Sequence, residues 1–266
     1  MKARIKFSKT GSMRFIGHLD VMRYFQKAFR RAHIPVSYSQ GFSPHQILSF
    51  TSPLGIGLTS DAEYLDMELT QCPHPEKMVE WMNTQMNEEI RVKDFLLLPE
   101  NAKPSMAMLA GCDYVITLKP GEESAFRNQK QTALWLEQFL AQDSIRIMKK
   151  TKRSQKEVDI RPNIYYASTQ KAEFEKLTGQ VYNNLCLDLE EYIPVIFCQL
   201  TAGSVVNIKP ELLMQAFCEF VGVDYEPLQY QVHRLEMYGD LDGKKGEVHL
   251  LTDAVPCRLV PLSEYK

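Results

Sequence analysis

The spacing of hydrophobic residues predicts short strands alternating with amphipathic helices along the chain. Residues 3–7 alternate between apolar and polar side chains, as expected of a strand that buries one face. Residues 18–32 have the periodicity of an amphipathic helix, which Pro35 ends. The apolar positions of this helix recur every three or four residues: Leu19, Met22, Phe25, Phe29 and Ala32.

The later elements predict the order β-α-β-β-α-β twice, which is that of ferredoxin-like domains. In the first half, strands are predicted at residues 47–50, 64–69 and 90–98, with a helix at 75–86. The second half has its predicted elements at residues 114–118, 129–141, 145–148, 184–189, 195–200, 210–221 and 232–237. The prediction is an α+β protein of two tandem ferredoxin-like (βαββαβ) domains with antiparallel sheets.

The domain boundaries follow from the same pattern. The first domain covers residues 1–98, a linker follows at 99–111, and the second domain covers 112–238 with an insertion. Residues 239–266 form a C-terminal extension, in which 248–251 reads as a strand. A chain of 266 residues is long enough for two such domains.

Positive charge is concentrated at the start of the chain. Residues 1–50 hold nine lysines and arginines against one acid, Asp20, for a net charge of +8. The remaining residues hold 22 bases and 32 acids, for a net charge of −10. A near-neutral total therefore hides a polarised molecule, and the basic part is suited to an anionic partner.

Cysteine use and hydropathy favour a cytoplasmic protein. The six cysteines are widely spaced, and no CxxC pair or CxxxCxxC triplet occurs, so no iron–sulfur cluster is expected in this chain. The segment MKARIKFSK lacks the apolar region of a secretory signal, and no apolar run is long enough to span a membrane. We expect no membrane association.

The predicted helix at residues 18–32 carries a candidate phosphate-binding face. Lys6, Lys9 and Arg14 precede the helix and would extend its positive surface. The structural alternative is an ordinary solvated face. Four cations are spaced to share the side opposite the apolar residues: Arg23, Lys27, Arg30 and Arg31.

The start of this helix, RFIGHLD, is a candidate ligand site. Gly17 permits close approach to the helix N-terminus, where Arg14 and His18 would complete a site for a phosphate or carboxylate. His18 is also a candidate general acid or base. The alternative is a structural role, with Asp20 favouring the first helical turn.

Two further segments are candidate RNA contacts. The loop SQGFSPH is shaped by Gly41 and Pro44, and its polar and aromatic residues suit base recognition, unless it is only a packed connection. Its candidate residues are Ser39, Gln40, Phe42 and His45. The segment KKTKRSQKEVDIRP supplies a second basic patch: Lys149, Lys150, Lys152, Arg153 and Arg161. Asp159 either pairs with Arg161 or anchors this segment.

Several motifs together resemble the radical-SAM-associated family of bacterial domains. They are RIKFSKTG (4–11), RFIGHLD (14–20), YSQGFSPH (38–45), LSF (48–50), PLG (53–55), EYLD (63–66) and EVDIRP (157–162). Members of that family are fused to a radical SAM protein or encoded beside one, often near ribonuclease and ribosomal protein genes. The resemblance implies an accessory to a radical SAM enzyme, with the iron–sulfur cluster and S-adenosylmethionine in the partner and RNA, either tRNA or rRNA, as the substrate class.

Three functions remain open at this point. The first is an RNA-binding accessory protein that presents tRNA or rRNA for modification. The second is a metal-independent endoribonuclease that uses His18, with Lys6 or Lys9 stabilising the transition state, by architectural analogy with CRISPR repeat-processing endoribonucleases. The third is a protein–protein adaptor for the radical SAM partner without nucleic-acid binding. The family has no settled catalytic residues, so enzymatic activity of this chain is left open.

Overall fold

The protein is an α+β structure with mostly antiparallel strand pairing and six α-helices among the described residues. The computed structural model describes residues 1–150, 155–241 and 259–264. The chain divides into two compact units. The first comprises Met1–Leu109, Glu236–Gly239 and Leu259–Lys266, and the second comprises Ala110–Leu235 and Asp240–Arg258.

The first unit is built on a sheet in which β1 lies between β4 and β3, and β3 also pairs with β2 and neighbours β10. The pairs of β1 with β3 and β4, and of β2 with β3, are antiparallel. The strands are β1 (Lys2–Lys9), β2 (Leu48–Phe50), β3 (Thr59–Glu68), β4 (Ile90–Leu98), the end of β10 (Tyr230–Asp240) and β11 (Leu259–Pro261), which pairs with β10. The helices are α1 (His18–Arg31), α2 (Met78–Asn83) and α3 (Ser105–Met108).

One face of β1 forms the core of the first unit with α1 and α2. Ile5 and Phe7 are buried, as their alternation predicted, and the Phe7 ring lies 4.6 Å from the ring of Phe25, edge to face. Phe25 also contacts Phe29 at 5.5 Å and Phe50 at 5.7 Å. This aromatic cluster fixes which side of α1 faces the sheet.

The second unit has a sheet with the neighbour order β10-β5-β9-β8, and a separate hairpin of β6 and β7. Pairs β5–β9, β8–β9 and β6–β7 are antiparallel. The further strands are β5 (Leu109–Leu118), β6 (Arg146–Lys150), β7 (Gln155–Asp159), β8 (Ile164–Ser168) and β9 (Ile193–Thr201). The helices are α4 (Gln129–Leu140), α5 (Lys171–Thr178) and α6 (Pro210–Val221).

The structure corrects two sequence expectations in the second unit. Residues 184–189 are not a strand, and the helix α5 was not predicted. Asn184 has a left-handed φ of 54°, and the Asp188 carboxylate accepts the amide of Glu190 at 2.8 Å, so turn chemistry interrupts the alternation. Leu187 is nevertheless buried beside Phe174 of α5, which explains why apolar residues alternate there. The strand expected at 248–251 lies outside the described residues.

A buried ion pair ties three distant segments to β1. The Arg4 side chain is 1% exposed, and its Nε lies 2.7 Å from Asp66 Oδ1 on β3. The guanidinium also donates to the carbonyls of Lys103 at 3.3 Å and Leu262 at 3.1 Å. Asp66 Oδ2 accepts the amide of Ser105 at 2.6 Å. Each charge is therefore balanced by the other and by further hydrogen bonds, as burial of an ion requires.

A second buried polar group lies on the same face of β1. Lys6 Nζ is 2.5 Å from Glu236 Oε2, and the Tyr64 hydroxyl donates to Glu236 Oε1 at 2.6 Å. Burial, with the adjacent carboxylate, raises the pKa of Tyr64 well above its ordinary range, so the phenol stays a hydrogen-bond donor. Lys6, whose side chain is 23% exposed, is therefore engaged by Glu236 on this side of β1.

We expect Asp66→Ala to lower the free energy of unfolding by about 3–5 kcal/mol, because it leaves the Arg4 guanidinium buried without its counter-charge. Chemical denaturation measures this loss. Asp20→Ala is the matched control, since it removes a carboxylate 3.4 Å from Arg23 in a pair whose side chains are 60% and 65% exposed. That change should cost less than about 1 kcal/mol, and equal losses for the two variants would contradict the role given to Asp66.

Candidate nucleic-acid interface

Helix α1 presents an exposed basic face. Its buried residues are Val21, Phe25, Ala28 and Phe29. The four cations on the opposite side are all exposed: Arg23, Lys27, Arg30 and Arg31. The predicted helix and its two-faced character are thus confirmed, and the positive side faces solvent.

Of these four cations, Arg23 and Arg31 each have a partner in the protein, and Lys27 and Arg30 are free to contact a ligand. Arg23 lies 3.4 Å from the Asp20 carboxylate, and Arg31 donates to the carbonyl of Gln85 at 3.0 Å. The side chains of Lys27 and Arg30 make no hydrogen bond or ion pair within the described part of the chain. An exposed pair such as Asp20 and Arg23 is weak, so an incoming phosphate can compete for Arg23.

Lys6 and Lys9 do not extend this face, which corrects the expectation from sequence. Lys6 alternates with Ile5 and Phe7, which face α1, so its side chain projects from the other side of β1 toward Glu236. Lys9 is 2% exposed, and its ammonium donates to the carbonyl of Ile16 at 3.0 Å. Lys9 therefore holds the segment before α1 in place.

The segment that leads into α1 is a short 3-10 helix, Gly11–Phe15, capped by Glu89. The Glu89 carboxylate accepts the Ser12 amide at 2.9 Å, the Ser12 hydroxyl at 2.6 Å and the Met13 amide at 3.1 Å. The hydrogen bonds from Ser12, foremost among several contacts, lower the pKa of Glu89. A side chain of the protein itself thus occupies the amides that would otherwise bind an anion.

Gly11 is required by this arrangement. Its φ is +53°, and a Cβ atom there would lie 2.0 Å from Glu89 Oε1. A residue with a side chain would be strained in this backbone region and would push the carboxylate away. The glycine of the RIKFSKTG motif therefore serves the Glu89 cap.

Four residues at the N-terminal end of α1 form what we call the entrance patch: Arg14, Phe15, Leu19 and Ile56. Phe15 is 62% exposed, Leu19 60% and Ile56 66%. The Arg14 guanidinium lies 4.8 Å from the centre of the Phe15 ring. The amide of Gly57 donates to the Arg14 carbonyl at 2.8 Å, which holds the loop that carries Ile56 against the backbone of Arg14.

Leu19 was expected in the core and is instead exposed. The buried side of α1 runs through Val21, and Leu19 is about 200° from Val21 around the helix axis. At about 100° per residue, Val21 lies about 40° from Phe25 and Leu19 about 120° from it, so Val21 falls within the buried stripe and Leu19 at its margin. Ile56 was also missed, although an apolar residue between two glycines is typical of an exposed turn.

His18 is the first residue of α1 and is only partly accessible. Its ring packs edge-on against Phe50, with ring centres 5.2 Å apart. Burial lowers the pKa of His18, so the neutral imidazole is favoured around neutral pH. Neither Lys6 nor Lys9, the proposed helpers in catalysis, has a free ammonium group.

The loop at residues 39–45 is closed by two of its predicted site residues. The Ser39 hydroxyl contacts His45 Nδ1 at 2.9 Å and accepts the His45 amide at 3.1 Å, and the Ser39 amide donates to the His45 carbonyl at 2.8 Å. Gln40 is exposed and Phe42 is fully exposed at the tip. Phe42 is therefore outside the core, contrary to the alternative of a packed loop.

The second basic segment is described only in part. Lys149 and Lys150 are positions of β6 opposite Lys156 and Gln155 of β7, while Lys152 and Arg153 lie outside the described residues. Arg161 is structural, since its guanidinium donates to the Leu140 carbonyl at 2.9 Å. Burial alone would raise the pKa of Asp159, but the amides of Arg161 and Ile145 donate to its carboxylate and lower it. Asp159 thus anchors the segment and is not paired with the Arg161 side chain.

A comparison with family models identifies the relatives of this chain. Residues 2–210 match DUF2344, described as an uncharacterized protein conserved in bacteria. The chain belongs to the DUF2344 family. The match covers α1, the entrance patch, the loop at 39–45 and the β6–β7 hairpin.

Other comparisons add little to the DUF2344 assignment. A search of curated proteins gave no match. Among solved structures, the crystal structure of a Cbf5-Nop10-Gar1 complex contains a chain that aligns with 88% of this one at 11% identity and a TM-score of 0.42. This chain covers 48% of that chain's length, and a similarity at this level carries no argument about function.

The described residues of the DUF2344 chain contain no cluster of three or more His, Cys, Asp or Glu side chains arranged for a metal ion. Within the same residues, no helix has the length and hydropathy needed to cross a membrane. Five cysteines are described, and all are free thiols.

We expect Glu89→Gln to destabilise the DUF2344 protein modestly at neutral pH, because the charged cap of the 3-10 helix is lost. Since the folded-state pKa of Glu89 is lowered, its contribution is complete above the ordinary glutamate pKa of about 4.3 and disappears as pH falls through the folded value. In thermal melting, the difference from wild type should therefore be largest near neutral pH and shrink progressively as the pH is lowered below about 4.3. The neighbouring exposed Glu88→Gln is the control, and an equal effect of both changes would contradict the cap.

Proposed function

We propose that this DUF2344 chain is an RNA-binding accessory protein that presents tRNA or rRNA to a radical SAM enzyme. The observation that carries the RNA-binding part is the exposed basic face of α1 in a chain that is otherwise acidic. Charged residues distributed evenly over the surface would give no such local excess.

The arrangement of the cations suits a phosphate backbone. Arg23, Lys27 and Arg30 follow one another at intervals of about 6 and 4.5 Å along the helix axis. Each phosphate they neutralise releases counterions from the nucleic acid, which is the main source of sequence-independent affinity. Phe42 and Gln40, exposed on the loop closed by Ser39 and His45, supply base contacts in this proposal.

We propose the partnership with a radical SAM enzyme on the basis of the sequence motifs. The iron–sulfur cluster and S-adenosylmethionine would belong to the partner enzyme, in the cytoplasm. Chemistry at the RNA would take place there, and this chain would supply binding energy and orientation.

We also propose that both units are ferredoxin-like. In the first unit, the element order β1-α1-β2-β3-α2-β4, with β1 between β4 and β3, supports this assignment. In the second unit, β5-α4 and the pair β9-α6 offer a similar order interrupted by the β6–β7 hairpin and α5.

A salt titration of RNA binding tests the proposal. We expect wild type to bind tRNA with an affinity that falls as salt rises, and Arg23→Ala/Lys27→Ala to weaken binding. Loss of two phosphate contacts should reduce the slope of log affinity against log salt by about 1.4–1.8. Filter binding or fluorescence anisotropy gives both quantities.

The matched control is Lys77→Ala/Lys130→Ala, which removes two exposed lysines outside the proposed interface. These changes should leave the slope unaltered. Affinity that is absent, or that does not respond to salt, would refute RNA binding by this protein.

The adaptor function is the second candidate, because exposed apolar residues beside a basic face are also found at protein interfaces. In that case the radical SAM partner would co-purify after nuclease treatment. Charge reversal of Arg23 and Lys27 would then abolish co-purification, and RNA affinity would be absent from the wild type.

A further inference from the structure

We infer that the entrance patch is a stacking platform for an unpaired base, so that the RNA held by this protein is single-stranded where it meets α1. This inference rests on the proposed RNA-binding function and names the form of RNA that the site accepts. It concerns Phe15, Leu19 and Ile56, to which no role was given above.

The first argument is the exposure of the Phe15 ring. Arg14 lies 4.8 Å from the ring centre and covers one face, while the side chain as a whole is 62% exposed. One aromatic face is thus supported by a cation and the other is available. Stacking of a base on such a face is a common source of affinity for single-stranded nucleic acid, and an adjacent arginine adds to it.

The second argument is that the platform is rigid. Glu89 holds the Ser12 and Met13 amides, Lys9 holds the Ile16 carbonyl, and the Gly57 amide holds the Arg14 carbonyl. These contacts fix the backbone on both sides of Phe15. Binding a base there orders little additional chain, so less of the contact energy is lost as entropy.

The third argument is continuity with the basic face. Leu19, Arg23, Lys27 and Arg30 are spaced by four, four and three residues, so they lie along one side of α1. A strand whose base rests on Phe15 and Leu19 can continue with its phosphates along Arg23 and Lys27. An internal base pair of a duplex is already stacked on both of its neighbours, so it has no free base face to offer to Phe15.

The size of the patch favours a base over a protein. A large side chain has an accessible area of roughly 150–250 Å², so three that are about 60% exposed present on the order of 350 Å². Stable protein interfaces take about 800 Å² from each partner. The patch is therefore small for a protein and sufficient for one or two bases.

The test compares one short mixed-sequence RNA, labelled with fluorescein, as a single strand and annealed to its complement. We expect Phe15→Ala to weaken single-strand binding roughly 5- to 150-fold, the range for one lost stacking contact. Duplex binding and the salt slope should be unchanged, because no phosphate contact is removed. Phe15→Tyr should retain single-strand affinity, and Phe15→Leu should lose it despite being apolar.

Leu228→Ala, at a side chain 82% exposed in the second unit, is the control for loss of an exposed apolar group. Thermal melting of each variant establishes that it is folded. If Phe15→Ala binds the single strand like wild type while Arg23→Ala/Lys27→Ala does not, the platform is refuted and the RNA-binding function stands.

Two further outcomes also overturn the inference. Equal weakening of single-strand and duplex binding by Phe15→Ala would mean that the change disturbs the basic face and removes no base contact. In the other outcome, Phe15→Ala leaves RNA binding unchanged and loses capture of the radical SAM partner. If Phe15→Leu then recovers that capture, the patch binds a protein. Absence of any RNA binding by wild type would refute the proposed function itself, and the platform with it.

Discussion

The Arg4 guanidinium places a full positive charge in the interior of the first unit. Partners from three distant segments of the chain neutralise or solvate that charge. Asp66 of β3 supplies the counter-charge at 2.7 Å, while the carbonyls of Lys103 and Leu262 accept further hydrogen bonds from the guanidinium. These partners lie 62, 99 and 258 residues further along the chain. A buried charge is costly unless all of its partners are present, so these segments must come together with β1.

The orientation of β1 in turn determines what α1 can present. Arg4 and Lys6 project from one side of the strand, so Ile5 and Phe7 project from the other and pack against the aromatic side of the helix. Because Phe25 and Phe29 are in that contact, the cations of α1 lie on the exposed side of the helix. The basic surface is thus a consequence of core packing.

At the start of α1, internally hydrogen-bonded polar groups lie close to exposed apolar side chains. Glu89 accepts hydrogen bonds from the Ser12 and Met13 amides of the 3-10 helix. Lys9 donates a hydrogen bond to the Ile16 carbonyl. Phe15, Leu19 and Ile56 differ from these groups, because most of their apolar area stays in contact with water. That area therefore contributes no hydrophobic stabilisation to the folded chain. Apolar side chains held in water by a rigid backbone are characteristic of surfaces that bind a partner.

Much of the first unit follows from local sequence pattern. Alternation over residues 3–7 and the spacing of Phe25 and Phe29 predict β1 and α1, and the excess of lysine and arginine predicts a positive surface on that helix. These features depend on neighbours within a few residues, which is the range over which periodicity carries information. Periodicity was less reliable where turn chemistry interrupts it, as at Asn184 and Asp188.

Tertiary structure alone decided which charged and apolar residues reach the surface. Lys6, Lys9 and Lys27 are equivalent by residue type. Contacts to Glu236 and to the Ile16 carbonyl engage the first two, and only Lys27 belongs to the exposed basic face of α1. Leu19 and Phe25 are similarly apolar positions of one helix, yet only Phe25 meets the sheet. Burial is a property of the packed unit and depends on residues far along the chain, so the amino-acid pattern near each position could not specify it.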